Sequence, residues 1–386
     1  MRLQSSLGFD SESDEKLLLE TIPAKPAVFA LHPEPNLAPP APPYIGRTVD
    51  LRRRLRRLLA RPKTASKLLN LRDFTRRIEF QLVGSGFEAQ WLLYGLNRAY
   101  YPGNYRQRLR LKPPALLKIN LRNRFPRCYP TRRLSNDGSL YYGPFPSRAA
   151  AERFAAEFLD LFLIRRCVED LVPDPSHPGC IYSQMKMCLA PCFAGCTDAD
   201  YQEEVTRVVS FLDAEGQPLV RGLQAERAQA SEALEFERAA RLHRRIEKVQ
   251  DVLRNKPGIA RNLSQLHAVL VARSAEANRV VFFRVSGGEV RGPVEFSFDE
   301  NDPSPLPLDQ RLHAALDPLV RPEEGPAGSP PWEHLSLLAR WYFSSFRQGE
   351  LLLLPPSQEI PHARLIRVCR KVLAPVGTPS GAQKVP

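Results

Sequence analysis

Residues 180–196 read CIYSQMKMCLAPCFAGC and hold four of the seven cysteines of this 386-residue chain. With Cys167 upstream, the spacing is C-x12-C-x7-C-x3-C over Cys167, Cys180, Cys188 and Cys192, and Cys196 follows after three more residues. Four thiolates can hold a tetrahedral zinc ion or an iron–sulfur cluster. Zinc sites favour two close cysteine pairs, which the wide gaps match poorly. Spacing alone leaves three readings open: a zinc ion, a cluster, or buried thiols with no ligand. Pro191, between Cys188 and Cys192, has no N–H to give a helix, so a loop is expected there.

What thiols do depends on the compartment. The start, MRLQSSLGFDSESDEKLLLE, has no basic head followed by an apolar run, and no stretch approaches eighteen consecutive apolar residues. Neither a signal peptide nor a membrane span is expected, which points to a reducing cytoplasm where clustered cysteines serve metals or catalysis more often than disulfides.

The net charge of +13 points to a polyanionic partner. It is concentrated in residues 47–77, where twelve Lys or Arg face only Asp50 and Asp73, an excess of +10. Leu51, Leu55, Leu58 and Leu59 fall at helical spacing, with Thr48 as the expected N-cap. Burying those leucines leaves Arg52, Arg53, Arg56, Arg57, Arg61 and Lys63 to coat the outer face. Guanidinium forks fit phosphate oxygens, so this face is read as a nucleic-acid backbone contact.

The positioning elements follow from pattern. Residues 1–25 read as a flexible leader. Strands at 26–31, 42–46 and 76–84 and helices from 48 and over 87–100 give a β–β–α–β–α unit within 26–105. Residues 115–134 look extended, and 147–164 form an amphipathic helix. Residues 199–257 read as helical with a break near Gly216–Pro218, and Ala239, Leu242, Ile246, Val249 and Leu253 make a heptad-like seam. That seam can close an internal antiparallel hairpin or take a partner helix. Strand character returns over 263–300, a helix lies near 332–347, and 361–386 is expected as a mostly disordered tail. The fold class is a multidomain α+β protein.

Several segments together resemble the UvrC family, the nuclease component of the UvrABC excinuclease in bacterial nucleotide excision repair. PAVFAL…PPYIGRTVDLRRRL is similar to the start of its GIY-YIG nuclease domain. RFPRCYPTRRLSNDGSLYYGPFPSRAAAERF…LFLIRRC is similar to the segment that follows, CIYSQMKMCLAPC to its cysteine motif, and ALEFERAARLHRRIEKV to its UVR motif. The resemblance implies a 4Fe–4S cluster, with zinc the alternative, on Cys167, Cys180, Cys188 and Cys192 in a connecting region over 106–198. It implies a UVR hairpin over 199–257 that docks on the UvrB helicase through Leu234, Phe236, Ala239, Leu242 and Ile246. It also implies lesion-bearing double-stranded DNA as substrate, and a partial UvrC homology region over 263–360.

For the nuclease the resemblance places the YIG tyrosine on Tyr44, the basic residue on Arg47 and the phosphate-steadying arginine on Arg54. The GIY tyrosine falls on Phe29, a later tyrosine on Leu58, and the metal-binding glutamate on Leu93. Glu88-Ala89 and Pro102 anchor that alignment. Glu88 lies five positions earlier, about 140° around a helix, and cannot replace position 93. A leucine binds no divalent cation, so Mg²⁺ or Mn²⁺ is expected only if the site works through other ligands. No Asp/Asp/His ribonuclease H-like constellation or helix–hairpin–helix motif of the family is found. The expectation is a DNA- and UvrB-binding protein whose incision is lost. The alternatives are a single-cut nuclease with other ligands, or a regulator competing with full-length UvrC.

Overall fold

The computed structural model describes residues 3–10, 20–34, 41–61, 69–299, 306–320 and 331–374. Three four-stranded sheets, all with antiparallel pairing, organise it.

The first sheet comprises β1 (Ser5–Gly8), β2 (Ala27–His32), β3 (Tyr44–Thr48) and β4 (Arg77–Leu82), in the order β1-β4-β2-β3. Between β3 and β4 runs helix α1 (Leu51–Leu59), and α2 (Gly86–Tyr100) follows β4. Every residue of β2 is buried, because α1 covers one face of the sheet and α2 the other. The helix cap is Asp50, whose carboxylate accepts from the Arg53 N–H; the expected cap Thr48 instead takes the Asp50 N–H and stops short of the role. The leader also departs from expectation. Residues 5–8 pair with β4, and Phe9 and Ile22 enter the core under α1, while residues 11–19 lie outside the described residues.

A short helix α3 (Tyr105–Arg108) leads to the second sheet, β5 (Ala115–Ile119), β6 (Cys128–Thr131) and β7 (Leu140–Phe145). Helix α4 (Arg148–Leu159) packs on it and ends five residues before the predicted 164. One helical turn, α5 (Ile181–Gln184), sits in the cysteine loop, and three helices follow: α6 (Asp198–Asp213), α7 (Gln217–Glu232) and α8 (Phe236–Asn255). They share one apolar core with α4 that includes Phe158, Phe162, Phe211, Leu223, Ile246 and Val249. Strand β8 (Arg261–Asn262) closes this sheet against β7.

The third sheet, β9 (His267–Arg273), β10 (Arg279–Ser286), β11 (Glu289–Ser297) and β12 (Glu350–Leu353), has the order β11-β10-β9-β12. Helices α9 (Leu308–Val320) and α11 (His362–Leu373) cover one face, and α10 (Pro331–Tyr342) together with the outer side of α2 covers the other. Neither α9 nor α11 was expected. The supposed tail from 361 forms α11 and buries Leu365 and Cys369, and only residues 375–386 lie outside the described residues. Among the described residues no helix is long and apolar enough to cross a membrane.

Candidate functional site

The arginines of α1 separate into two groups. Leu51, Leu55, Leu58 and Leu59 are buried, so Arg53, Arg56 and Arg57 emerge exposed on the opposite side, with Arg47 exposed on β3 and Arg61 exposed just past the helix. Arg52 does structural work: its guanidinium donates to the Ile22 carbonyl at 2.7 Å and the Glu20 carbonyl at 3.3 Å, fastening the leader. Lys63 lies outside the described residues. Arg72 of the same basic stretch is buried and donates to the Leu59 carbonyl at 2.7 Å, satisfying the end of α1 rather than meeting a ligand.

Arg54 is half-buried, donates through Nη2 to the Tyr44 hydroxyl at 3.1 Å, and has a buried Nε with no acceptor. The aligned tyrosine and arginine are therefore in contact. Phe29 is fully buried against Tyr44, with ring centroids 6.2 Å apart, and supplies no hydroxyl. Leu58 belongs to the core beneath α1. Leu93 packs against the other core, with Val28, Ala30, Leu92 and Leu96.

Glu88 does not replace it. Its carboxylate accepts from the Gly84 N–H at 3.1 Å, and burial, with Glu295 adding repulsion, pushes its pKa up to about 7. That carboxylate is engaged with the turn before α2, five positions and about 140° around the helix from Leu93.

The cysteine loop is held by groups that the spacing did not reveal. Arg165 is 2 % exposed; its Nε donates to the Phe125 carbonyl at 2.8 Å, and its Nη1 to the Glu169 carbonyl at 2.7 Å and the Cys167 sulfur at 3.6 Å. The Tyr201 hydroxyl accepts from the Arg165 N–H, and the Cys192 carbonyl accepts from the Asp174 N–H. Pro191 begins a single 3-10 turn between two left-handed residues, Ala190 and Ala194, which is the loop expected.

Burial raises the Cys188 thiol pKa, and the neighbouring Cys180, Cys192 and Cys167 raise it further. Cys192 is raised in the same way, by burial and then chiefly by Cys180. The four cysteines therefore lie within electrostatic reach of one another. Among the described residues, no three His, Cys, Asp or Glu side chains converge as a single metal ion requires. One buried thiol, Cys192, among three half-buried ones is suited to a bound cationic centre, which would favour their thiolate forms. Cys128 and Cys369 are buried elsewhere, and burial alone raises the first well above the usual thiol range and the second to about 12.

The seam on α8 is divided between two uses. Ile246 and Val249 are buried in the core shared with α7 and α6, so Ile246 is spent inside the hairpin. Ala239 and Leu242 are half-buried. At the tip, Leu234 is 70 % and Phe236 67 % exposed. Leu234 also sits in the left-handed region at φ 58°, uncommon for a residue other than glycine. A leucine both strained and bare contributes little to the fold that holds it.

Residues 115–211 match the UvrC/Cho excinuclease middle domain, spanning three strands of the second sheet (β5 to β7), the cysteine loop and most of α6. Residues 219–252 match the UvrB/uvrC motif, which coincides with the α7–α8 hairpin. The UvrABC system protein C of Moorella thermoacetica is 32% identical over 285 residues, covering 72% of this chain and 44% of the relative. That of Carboxydothermus hydrogenoformans is 31% identical over 259 residues, covering 66% and 42%, and that of Methanothermobacter thermautotrophicus 29% over 254 residues, covering 66% and 42%. The chain thus spans less than half the length of these curated relatives. No solved structure matches. Two motifs in consecutive order, one on a complete helical hairpin and the other on the sheet and cysteine loop before it, join this similarity over two thirds of the chain, and the chain belongs to the UvrC family.

Proposed function

We propose that this protein binds damaged double-stranded DNA and the UvrB helicase in nucleotide excision repair, in the cytoplasm, and does not itself cut. The first unit is read as a GIY-YIG-like module that has kept phosphate contact and lost its metal. The observation that carries this reading is the pairing of a retained Tyr44–Arg54 contact, with Arg54 Nε buried and unpartnered, with an apolar Leu93 at the ligand position. An arginine with an unfilled donor can still steady a phosphodiester, whereas no hydrolysis follows without a metal-bound nucleophile.

The exposed arginines of α1 extend that phosphate contact, and Leu234 and Phe236 are the anchors offered to UvrB. In the connecting region, Cys167, Cys180, Cys188 and Cys192 would hold a 4Fe–4S cluster, with zinc the alternative. Such a cluster would cross-link the loop, which Arg165, Tyr201 and Asp174 already hold in place.

The DNA contact is tested by salt dependence. Replacing Arg53, Arg56 and Arg57 together with alanine is expected to lower the slope of log affinity against log salt by about 2 to 3, since each phosphate contact contributes about 0.9. Fluorescence anisotropy on a lesion-bearing duplex reads the slope. An unchanged slope would move the DNA interface off α1.

A further inference from the structure

Arg284 sits in the middle of β10, opposite Val269 of β9 and Arg291 of β11. By strand alternation it shares a face with Val280 and Phe282, the face packed under α9 and α11. It is 5 % exposed. Its Nη2 donates to the Gln358 side-chain oxygen at 3.2 Å, but Nη1 is buried with no partner. Arg165 shows how this chain treats a structural buried arginine: its guanidinium is spent on two backbone carbonyls and the Cys167 sulfur. Arg72 likewise closes a helix end. Arg284 differs from both. Burial and the neighbouring Arg291 press its pKa below the ordinary range, as expected of a cation without a counter-charge.

Arg284 forms part of the wall of a cleft of about 630 Å³ between α9 and the segment leading into α11. His313 and His362 stand on opposite elements across it, with ring centroids 5.7 Å apart in an edge-on arrangement. Helix α11 starts at this cleft with His362, and no side chain caps its first turn. The N–H of Arg364 is taken by the Pro361 carbonyl, which leaves those of His362 and Ala363 as the first-turn donors for an anion, in the same cleft as a buried guanidinium with one unfilled nitrogen. Two carboxylates also line the cleft. Glu359 is exposed, and Asp317 has a partner of its own. Their charge opposes an anion at the opening, so one bound here has to be held against it by Arg284 and the helix end.

We propose that this cleft binds a single phosphate group, with Arg284 as its buried fork and His313, His362 and the first turn of α11 as further donors. The group can come from free phosphate or a mononucleotide, or from the terminal phosphate of a nucleic-acid strand; the chemistry of recognition is the same.

Titration calorimetry of the full chain with inorganic phosphate at constant ionic strength is expected to show one site. Arg284→Gln should weaken it about tenfold or more, the usual consequence of losing a charge-assisted fork. His362→Ala, at a half-buried position, should weaken it about threefold and keeps the test valid if the arginine variant fails to fold. Absence of binding by the unaltered chain, or equal affinity in every folded variant, would overturn the proposal. Competition then identifies the source. Displacement of phosphate by a 5′-phosphorylated oligonucleotide but not its 5′-hydroxyl form assigns a strand terminus. Displacement by a nucleoside monophosphate but by neither oligonucleotide assigns a small ligand.

Discussion

Replacing both Leu234 and Phe236 with aspartate is expected to weaken the complex with UvrB by about 100-fold or more while leaving the protein folded. Apolar anchors at the centre of an interface commonly account for at least about 2 kcal/mol each, and about 1.4 kcal/mol is a tenfold change in affinity. The same two side chains contribute little within the chain, because each is about two-thirds exposed. Substitutions at such surface positions usually change stability by less than about 0.5 kcal/mol. Aspartate also tolerates the left-handed backbone at position 234 better than leucine does. Ile246→Asp provides the contrast. It buries a charge in the core shared by α6, α7 and α8, and should lower the melting temperature whether or not UvrB is present. Affinity and melting temperature measured on the three proteins separate a docking surface from a packing one. Undiminished UvrB affinity in the double aspartate variant would place the docking surface elsewhere.

The second large effect is expected at Glu333, in the N-terminal turn of α10. It is completely buried and accepts from the Tyr94 hydroxyl at 2.6 Å, from the Tyr105 hydroxyl at 2.9 and 3.1 Å, and from Arg106 Nε at 2.6 Å. This carboxylate is the polar centre of the contact between the first unit and the third sheet, beside the Trp91 Nε1 bond to the Gly292 carbonyl at 3.0 Å and the apolar core that α2 shares with the sheet. Arg106 also lies over the rings of Tyr105 and Trp332, at 5.4 and 5.5 Å. Burial, and then the carboxylate itself, raises the Tyr105 phenol above its ordinary pKa, so the hydroxyl remains a donor.

Glu333→Ala removes the carboxylate to which both buried phenols donate, at roughly 1–3 kcal/mol each, offset in part because no charge then needs burying. Arg106 is half-exposed and can return to water, so its lost partner adds little. The net expectation is a loss of about 3 kcal/mol in denaturant unfolding. Tyr94→Phe and Tyr105→Phe should each cost about 1 kcal/mol. A change below about 1 kcal/mol for Glu333→Ala would show that this network does not couple the two halves.

These residues also mark where the sequence stops being readable. Local periodicity exposed the strands AVFALH, HAVLVAR and RVVFFRVS and the leucine face of α1, because burial on a repeating face leaves its trace in neighbouring residues. The hairpin seam was legible for the same reason.

Strand β1 was not, since SSLG is short, half-polar and an edge strand defined only by its pairing with β4. Helix α9 carries Pro318 near its end, and α11 lies next to a proline-rich stretch, so neither announced itself. Tyr94 and Glu333 are 239 positions apart, and Arg284 and Gln358 74 apart; no pattern in the chain links either pair. Arg165, Arg72 and Arg52 look like any other basic residues in sequence, and only their carbonyl partners separate them from the exposed arginines of α1.

The central claim is that the chain joins a repair complex on DNA without cutting. A labelled duplex with one bulky lesion would be incubated with this protein, its two partner proteins of the excinuclease, ATP, and Mg²⁺ or Mn²⁺, beside a Leu93→Glu variant. The account predicts a lesion-dependent shift with no nick from the unaltered chain, because position 93 offers no oxygen to a metal. A discrete nick on the lesion-bearing strand made by the unaltered chain would contradict it.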